Sequence, residues 1–120
     1  MSQPVDIRIR TFQYSLRAVK LYQALRALKE DAGIVMGRQY LRSATSIGAN
    51  LEEADVAETK RDFIHKNRIA LKEARESRYW LRLLVESGIV SDSKMADLIQ
   101  ETTELIAILT SIVKKSSQTK

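Results

Sequence analysis

Residues 60–88 read KRDFIHKNRIALKEARESRYWLRLLVESG, and their periodicity decides the fold. Phe63, Ala70, Ala74, Ser77, Leu81 and Leu84 recur at helical spacing and define one small, apolar side. Arg61, His65, Arg68, Lys72, Arg75, Tyr79 and Arg82 recur on the opposite side. A third side carries Glu73 and Glu76 with Ile69, Trp80 and Leu83. A segment with one buried side and two wetter ones is a long amphipathic helix. Thr59 is placed to cap its N-terminus, with Asp62 three residues on in a capping-box-like arrangement, and Gly88 is placed to end it.

The same reading extends outward. A second helix is expected from about Arg38 to Glu58, with Leu41, Ala44, Gly48 and Leu51 on one face and Tyr40, Ile47 and Ala54 beside them. Its middle is crowded with Ser43, Ala44, Ser46, Gly48 and Ala49. A mid-helix glycine costs roughly 1 kcal/mol relative to alanine, and close approach of another helix is the usual compensation. A helix from about Asp6 to Asp31 is expected before it. Phe12, Leu16 and Val19 form its core stripe, which Leu21, Leu25 and Leu28 continue with a small drift. Gly33 reads as its stop, Ile34-Val35-Met36 as a short connection, and Gly37 as the residue before the next helix. The last helix starts near Ser91 or Asp92 and runs to about Lys115. Met95, Leu98, Leu105, Leu109 and Ile112 make its main seam.

Four helices joined by short loops specify an all-α, antiparallel up-down-up-down four-helix bundle. A chain of 120 residues is expected to form one such domain, with disordered ends at about residues 1–5 and 116–120. Ile99, Ile106, Ile108 and Val113 widen the apolar face of the last helix beyond one stripe. They are the candidate oligomer interface.

The composition removes several function classes. The absence of cysteine excludes a disulfide framework, a thiolate zinc site and a cysteine nucleophile. There is no G-x-S-x-G turn and no Gly-rich phosphate loop. Asp62 and His65 have the i, i+3 spacing that di-iron bundles use. With one histidine in the chain no second such pair exists, so no metal, cofactor or catalytic residue is expected. No apolar run approaches the roughly 20 residues of a spanning helix. The N-terminal MSQPVDIRIR lacks an apolar leader core. A cytoplasmic protein with no membrane partner is expected.

Two polar patterns remain. Ser46, Asn50 and Glu53 share a helix face and read as a hydrogen-bonded polar layer against the third helix. The Arg61, His65, Arg68, Lys72, Arg75, Tyr79, Arg82 stripe spans roughly 30 Å at about 1.5 Å per residue. Cations at that spacing with interleaved His and Tyr suit a phosphate backbone and its bases. The plainer reading is a solvated face balanced by intrahelical ion pairs such as Lys72–Glu76. The net charge of +5 is compatible with either.

The blocks RSATSIGANLEEA (42–54), TKRDFIHK (59–66) and IALKEARESRYWLRLL (69–84) give the chain a family resemblance. It resembles the bacterial four-helix bundle proteins related to those encoded in intervening sequences of large-subunit ribosomal RNA genes. Intervening-sequence proteins proper typically carry Ala-Glu-Gly after an Asn-Ile pair. Here Asn50-Leu51 is followed by Glu52-Glu53-Ala54, which points to a sister branch. The resemblance implies a homopentamer with no catalytic activity. It also extends to the accessory variability protein of diversity-generating retroelements, a basic pentameric barrel that engages a reverse transcriptase and nucleic acid. The expected function is a non-enzymatic oligomeric bundle that binds RNA or a reverse-transcriptase-like partner through its basic face. The alternative is a protein–protein scaffold with no nucleic-acid role.

Overall fold

Helix-forming segments with one apolar side each must bury that side together, and the chain does so by folding back on itself three times. The structure, a computed structural model, describes residues 6–118. It comprises α1 (Ile7–Leu28), α2 (Asp31–Asp55), α3 (Lys60–Glu86) and α4 (Asp92–Gln118). The close pairings are α1 with α2, α2 with α3 and α3 with α4. Among the described residues there is no strand, and no helix is long and apolar enough to cross a membrane. The all-α four-helix bundle expected from the sequence is the fold observed.

The third helix begins and ends where its caps dictate. Thr59 Oγ1 accepts from the Asp62 amide at 3.0 Å, and Gly88 turns the chain at φ +84. Ala70, Ala74, Ser77, Leu81 and Leu84 are buried, as the periodicity requires, and Asn67 joins them. Phe63, at the open end of the same side, is half-buried. From α4, Met95, Leu98, Leu105 and Leu109 complete the core. α4 continues to Gln118, so residues 116–118 are helical rather than frayed. Residues 1–5 and 119–120 lie outside the described residues.

The first connection differs from expectation. The chain turns at Lys29, whose backbone is left-handed at φ 55, and Glu30 caps α2 by accepting from the amides of Ala32 and Gly33. Gly33 and Gly37 are therefore inside α2 rather than at its boundary. Their use is steric. A Cβ at Gly37 would stand 2.7 Å from Leu25 Cδ1, and one at Gly33 would stand 3.1 Å from Ile89 Cγ2. α2 also ends early, at Asp55 rather than near Glu58.

The core face of α1 is a second correction. Thr11, Tyr14, Ala18 and Leu25 are buried, while Phe12, Leu16 and Val19 point outward with Ile9. The reason is register. Tyr14, Ala18, Leu21 and Leu25 make a competing helical stripe, and small Ala18 and Thr11 let α1 approach α2 closely. At that approach, a Cβ on Gly48 would lie 3.5 Å from the Thr11 carbonyl carbon. The interhelical proximity expected from the small-residue middle of α2 is present.

Two tyrosines lie at the centre of the bundle. Tyr14 and Tyr40 pack edge to face at 6.3 Å between centroids. Thr102 Oγ1 donates to the Leu98 carbonyl at 2.7 Å, so the 2.5 Å contact leaves Tyr14 Oη as donor to Thr102. Burial pushes both phenols above their ordinary range. A folded-state pKa above the unfolded value of about 10 means the stabilisation is complete below that pH and is lost as pH rises past it. Denaturant titrations at rising alkaline pH should therefore show wild type losing stability more steeply than a Tyr14→Phe/Tyr40→Phe variant. Parallel pH profiles would overturn this account.

Candidate nucleic-acid interface

An α-helix holds side chains three or four residues apart on one line, and the buried side of α3 fixes which line faces water. All seven expected residues, Arg61, His65, Arg68, Lys72, Arg75, Tyr79 and Arg82, are exposed. They lie opposite Ala70, Ala74 and Leu81. The helix therefore displays them together, as the spacing predicts.

Two groups of arginines differ in their partners. Arg8, Arg10 and Arg42 serve the fold. Arg8 pairs with Asp55 at 2.9 Å and ties the start of α1 to the end of α2. Arg10 pairs with Glu101 and Glu104, at 2.7 and 2.6 Å, across the α1–α4 seam. Arg42 joins α2 to Glu73 and Glu76 of α3. On the stripe the pattern is different. Arg82 pairs with Glu86 one turn on at 3.3 Å, an exposed contact of small energetic value. Arg68 donates to Ser117 Oγ at 3.1 Å. Among the described residues, Arg61, Lys72 and Arg75 make no ion pair.

The expected Lys72–Glu76 pair does not form. Glu76 instead accepts from Trp80 Nε1 at 3.0 Å and from Arg42. The Trp80 bond, then Arg42, holds the Glu76 carboxyl below its usual range. The acidic flank of α3 is thus drawn towards α2; Lys72 acts on Glu76 through space without a direct contact, and of the stripe's cations only Arg82 makes an ion pair among the described residues.

At its N-terminal end the stripe borders an open basin of about 880 Å³ between the start of α3 and the end of α4. Arg61, His65, Arg68, Ser116 and Ser117 contribute to its wall. His65 is exposed there. Among the described residues no three His, Cys, Asp or Glu side chains gather as a metal site. Tyr79 sits edge-on to Trp80, 5.1 Å between centroids, leaving its ring exposed for stacking.

The Ser46, Asn50, Glu53 face is wetter than a layer. Ser46 donates to the Arg42 carbonyl and Asn50 to the Ser46 carbonyl, both on their own helix. Only Glu53 reaches α3, through Lys66 Nζ at 2.8 Å. The buried polar contact between α2 and α3 is instead Ser43 with Ser77, at 2.9 Å.

On α4, Ile106 is only 8% exposed and Ile99 packs partly against the core. Ile108 and Val113 are half-buried. A continuous bare apolar line lies on α1, where Ile9, Phe12, Leu16 and Val19 are 55%, 63%, 51% and 39% exposed. Sequence reasoning missed this face because it assigned the stripe to the core. The signal that identifies it is the presence of a second apolar line on α1, through Tyr14, Ala18, Leu21 and Leu25.

The bundle has counterparts among known proteins. A family model described as 23S rRNA-intervening sequence protein matches residues 9–111. None of the curated proteins matches the chain. Solved structures that resemble it include a protein of unknown function from the S23 ribosomal protein family of Bacteroides thetaiotaomicron. The two are 39% identical, the match covers 91% of this chain and 99% of the other, and the TM-score is 0.84. Residues 9–111 take in all but the outermost turns of the bundle, and the chain belongs to the 23S rRNA-intervening sequence protein family.

Proposed function

We propose that the chain is a non-enzymatic, self-associating bundle that binds RNA through the outer face of α3. The observation that carries this reading is the exposed row Arg61, Lys72 and Arg75, without an ion pair among the described residues, flanked by Arg68, His65 and Tyr79 on one line. Cations held at fixed intervals release counterions from a phosphate backbone, and exposed rings supply sequence-tolerant stacking.

Self-association rests on α1. Ile9, Phe12, Leu16 and Val19 follow the i, i+3, i+7, i+10 spacing of a helix-packing seam and stand exposed in the single chain. Ile108 and Val113 of α4 offer a second, less exposed patch. A ring or cluster of copies repeats the α3 stripe and raises its field.

RNA binding measured at several salt concentrations tests the α3 reading. For wild type, affinity should fall steeply with salt. Arg68→Glu and Arg75→Glu together should weaken binding by roughly a hundredfold at moderate salt and flatten the salt slope. Binding that ignores both salt and charge reversal would exclude this surface. A chain that binds no RNA and co-purifies with a defined protein partner would favour the scaffold reading.

A further inference from the structure

The α1–α4 seam is pinned at one end and open at the other. At the pinned end Arg10 bonds Glu101 and Glu104, and Tyr14 reaches Thr102. From Arg17 onward the seam opens into a groove of about 500 Å³ that extends to Leu28 and to the connection before α4. Leu21, Leu25, Ile89, Met95 and Leu98 line it, and Leu28 at its edge is 58% exposed.

Its charge is one-sided. Arg17, Lys20 and Lys94 line the groove, and no carboxylate does. Among the described residues none of these three cations makes an ion pair. At the pinned end of the same seam, by contrast, Arg10 is matched by two carboxylates.

We propose that this groove docks an amphipathic helix of a partner protein, one whose apolar stripe is flanked by acidic side chains. The length fits. Arg17 to Leu28 on α1 spans roughly 16 Å at about 1.5 Å per residue, three turns of a guest helix. A guest of that length sets apolar anchors at i, i+3 or i+4, and i+7 into the floor. Acidic residues beside those anchors meet Arg17, Lys20 and Lys94 and give the complex its sign preference. The site goes beyond the RNA reading and does not depend on it. The groove contains no residue of α3, and α1 and α3 are not among the close helix pairings. Both surfaces can be occupied together, which makes the bundle an adaptor.

Two labelled synthetic peptides of about 15 residues test this, sharing one leucine stripe and differing only in flanking Glu or Lys. Fluorescence anisotropy with the full chain should show the Glu peptide binding at least about tenfold more tightly than the Lys peptide. A Lys20→Glu/Lys94→Glu variant should reverse that order. Both residues are exposed, and a thermal melt checks the fold. The α3 variant Arg68→Glu/Arg75→Glu should bind the Glu peptide like wild type, which separates failure here from failure of the RNA reading. Equal affinity for both peptides overturns the proposal, as does indifference to the charge reversal. Loss of the peptide on substituting Phe12 and Leu16 overturns it too, by moving the site to the outer face of α1. A groove variant that changes the oligomer mass but binds no peptide likewise overturns it and assigns the groove to a second copy.

Discussion

On the self-association proposed above, substituting Phe12 and Leu16 together by lysine is expected to convert the assembly to a monomer without lowering the stability of the bundle. The two side chains are 63% and 51% exposed in the single chain, so the change removes no core packing. Burying each against a neighbouring copy is worth about 1.5–3 kcal/mol, and two lysines in the same contact add desolvation cost. Together the two burials amount to about 3–6 kcal/mol, roughly a hundred- to ten-thousandfold in affinity. Sedimentation or light scattering reads the mass, and a thermal melt of the monomer reads the fold. Ile108→Lys and Val113→Lys on α4 form the companion experiment. Should they dissociate the protein while the α1 variant stays assembled, α4 is the interface. A wild type that is monomeric at micromolar concentration ends the self-association proposal.

Gly48 provides the second large effect. Alanine there should be neutral or more stable by up to about 1 kcal/mol, from helix propensity. Its Cβ would stand 3.4 Å from Thr11 Oγ1 and 3.5 Å from the Thr11 carbonyl carbon and oxygen, ordinary van der Waals separation. Leucine should cost at least about 1–3 kcal/mol, because its further carbons must displace the backbone of α1. That displacement also threatens Arg10, one residue from Thr11, and with it the pinned end of the α1–α4 seam. Urea denaturation of both variants reads the difference. If Gly48→Leu unfolds at the wild-type midpoint, α1 is not held against α2 as tightly as the Thr11 contact requires.

The third helix was fully legible. Its caps are local chemistry, its period is unbroken over 27 residues, and its three sides have different compositions. A helix with those properties has one way to sit against a core. The seven stripe residues were legible for the same reason, since exposure is the complement of a clear buried face. The first helix was not. Phe12, Leu16 and Val19 compete with Tyr14, Ala18 and Leu25, and hydrophobicity alone prefers the larger residues. Backbone distance settles it. Thr11, against which Gly48 packs, permits the close α1–α2 approach, and a bulky face does not. The same logic explains the misplaced turn. Gly33 and Gly37 carry the mark of a helix stop, but Glu30 caps two amides and Lys29 takes the left-handed turn, which frees both glycines for packing.

The amino-acid sequence alone determined the four helices, their antiparallel order and the basic line on α3, because helix periodicity and capping act within a few residues. Tertiary structure decided which arginines tie the helices together, which apolar stripe of α1 is left bare and where the α1–α4 seam opens. Those outcomes depend on which carboxylate meets which cation and how near two backbones come, across separations of up to 94 residues. No local pattern encodes such distances.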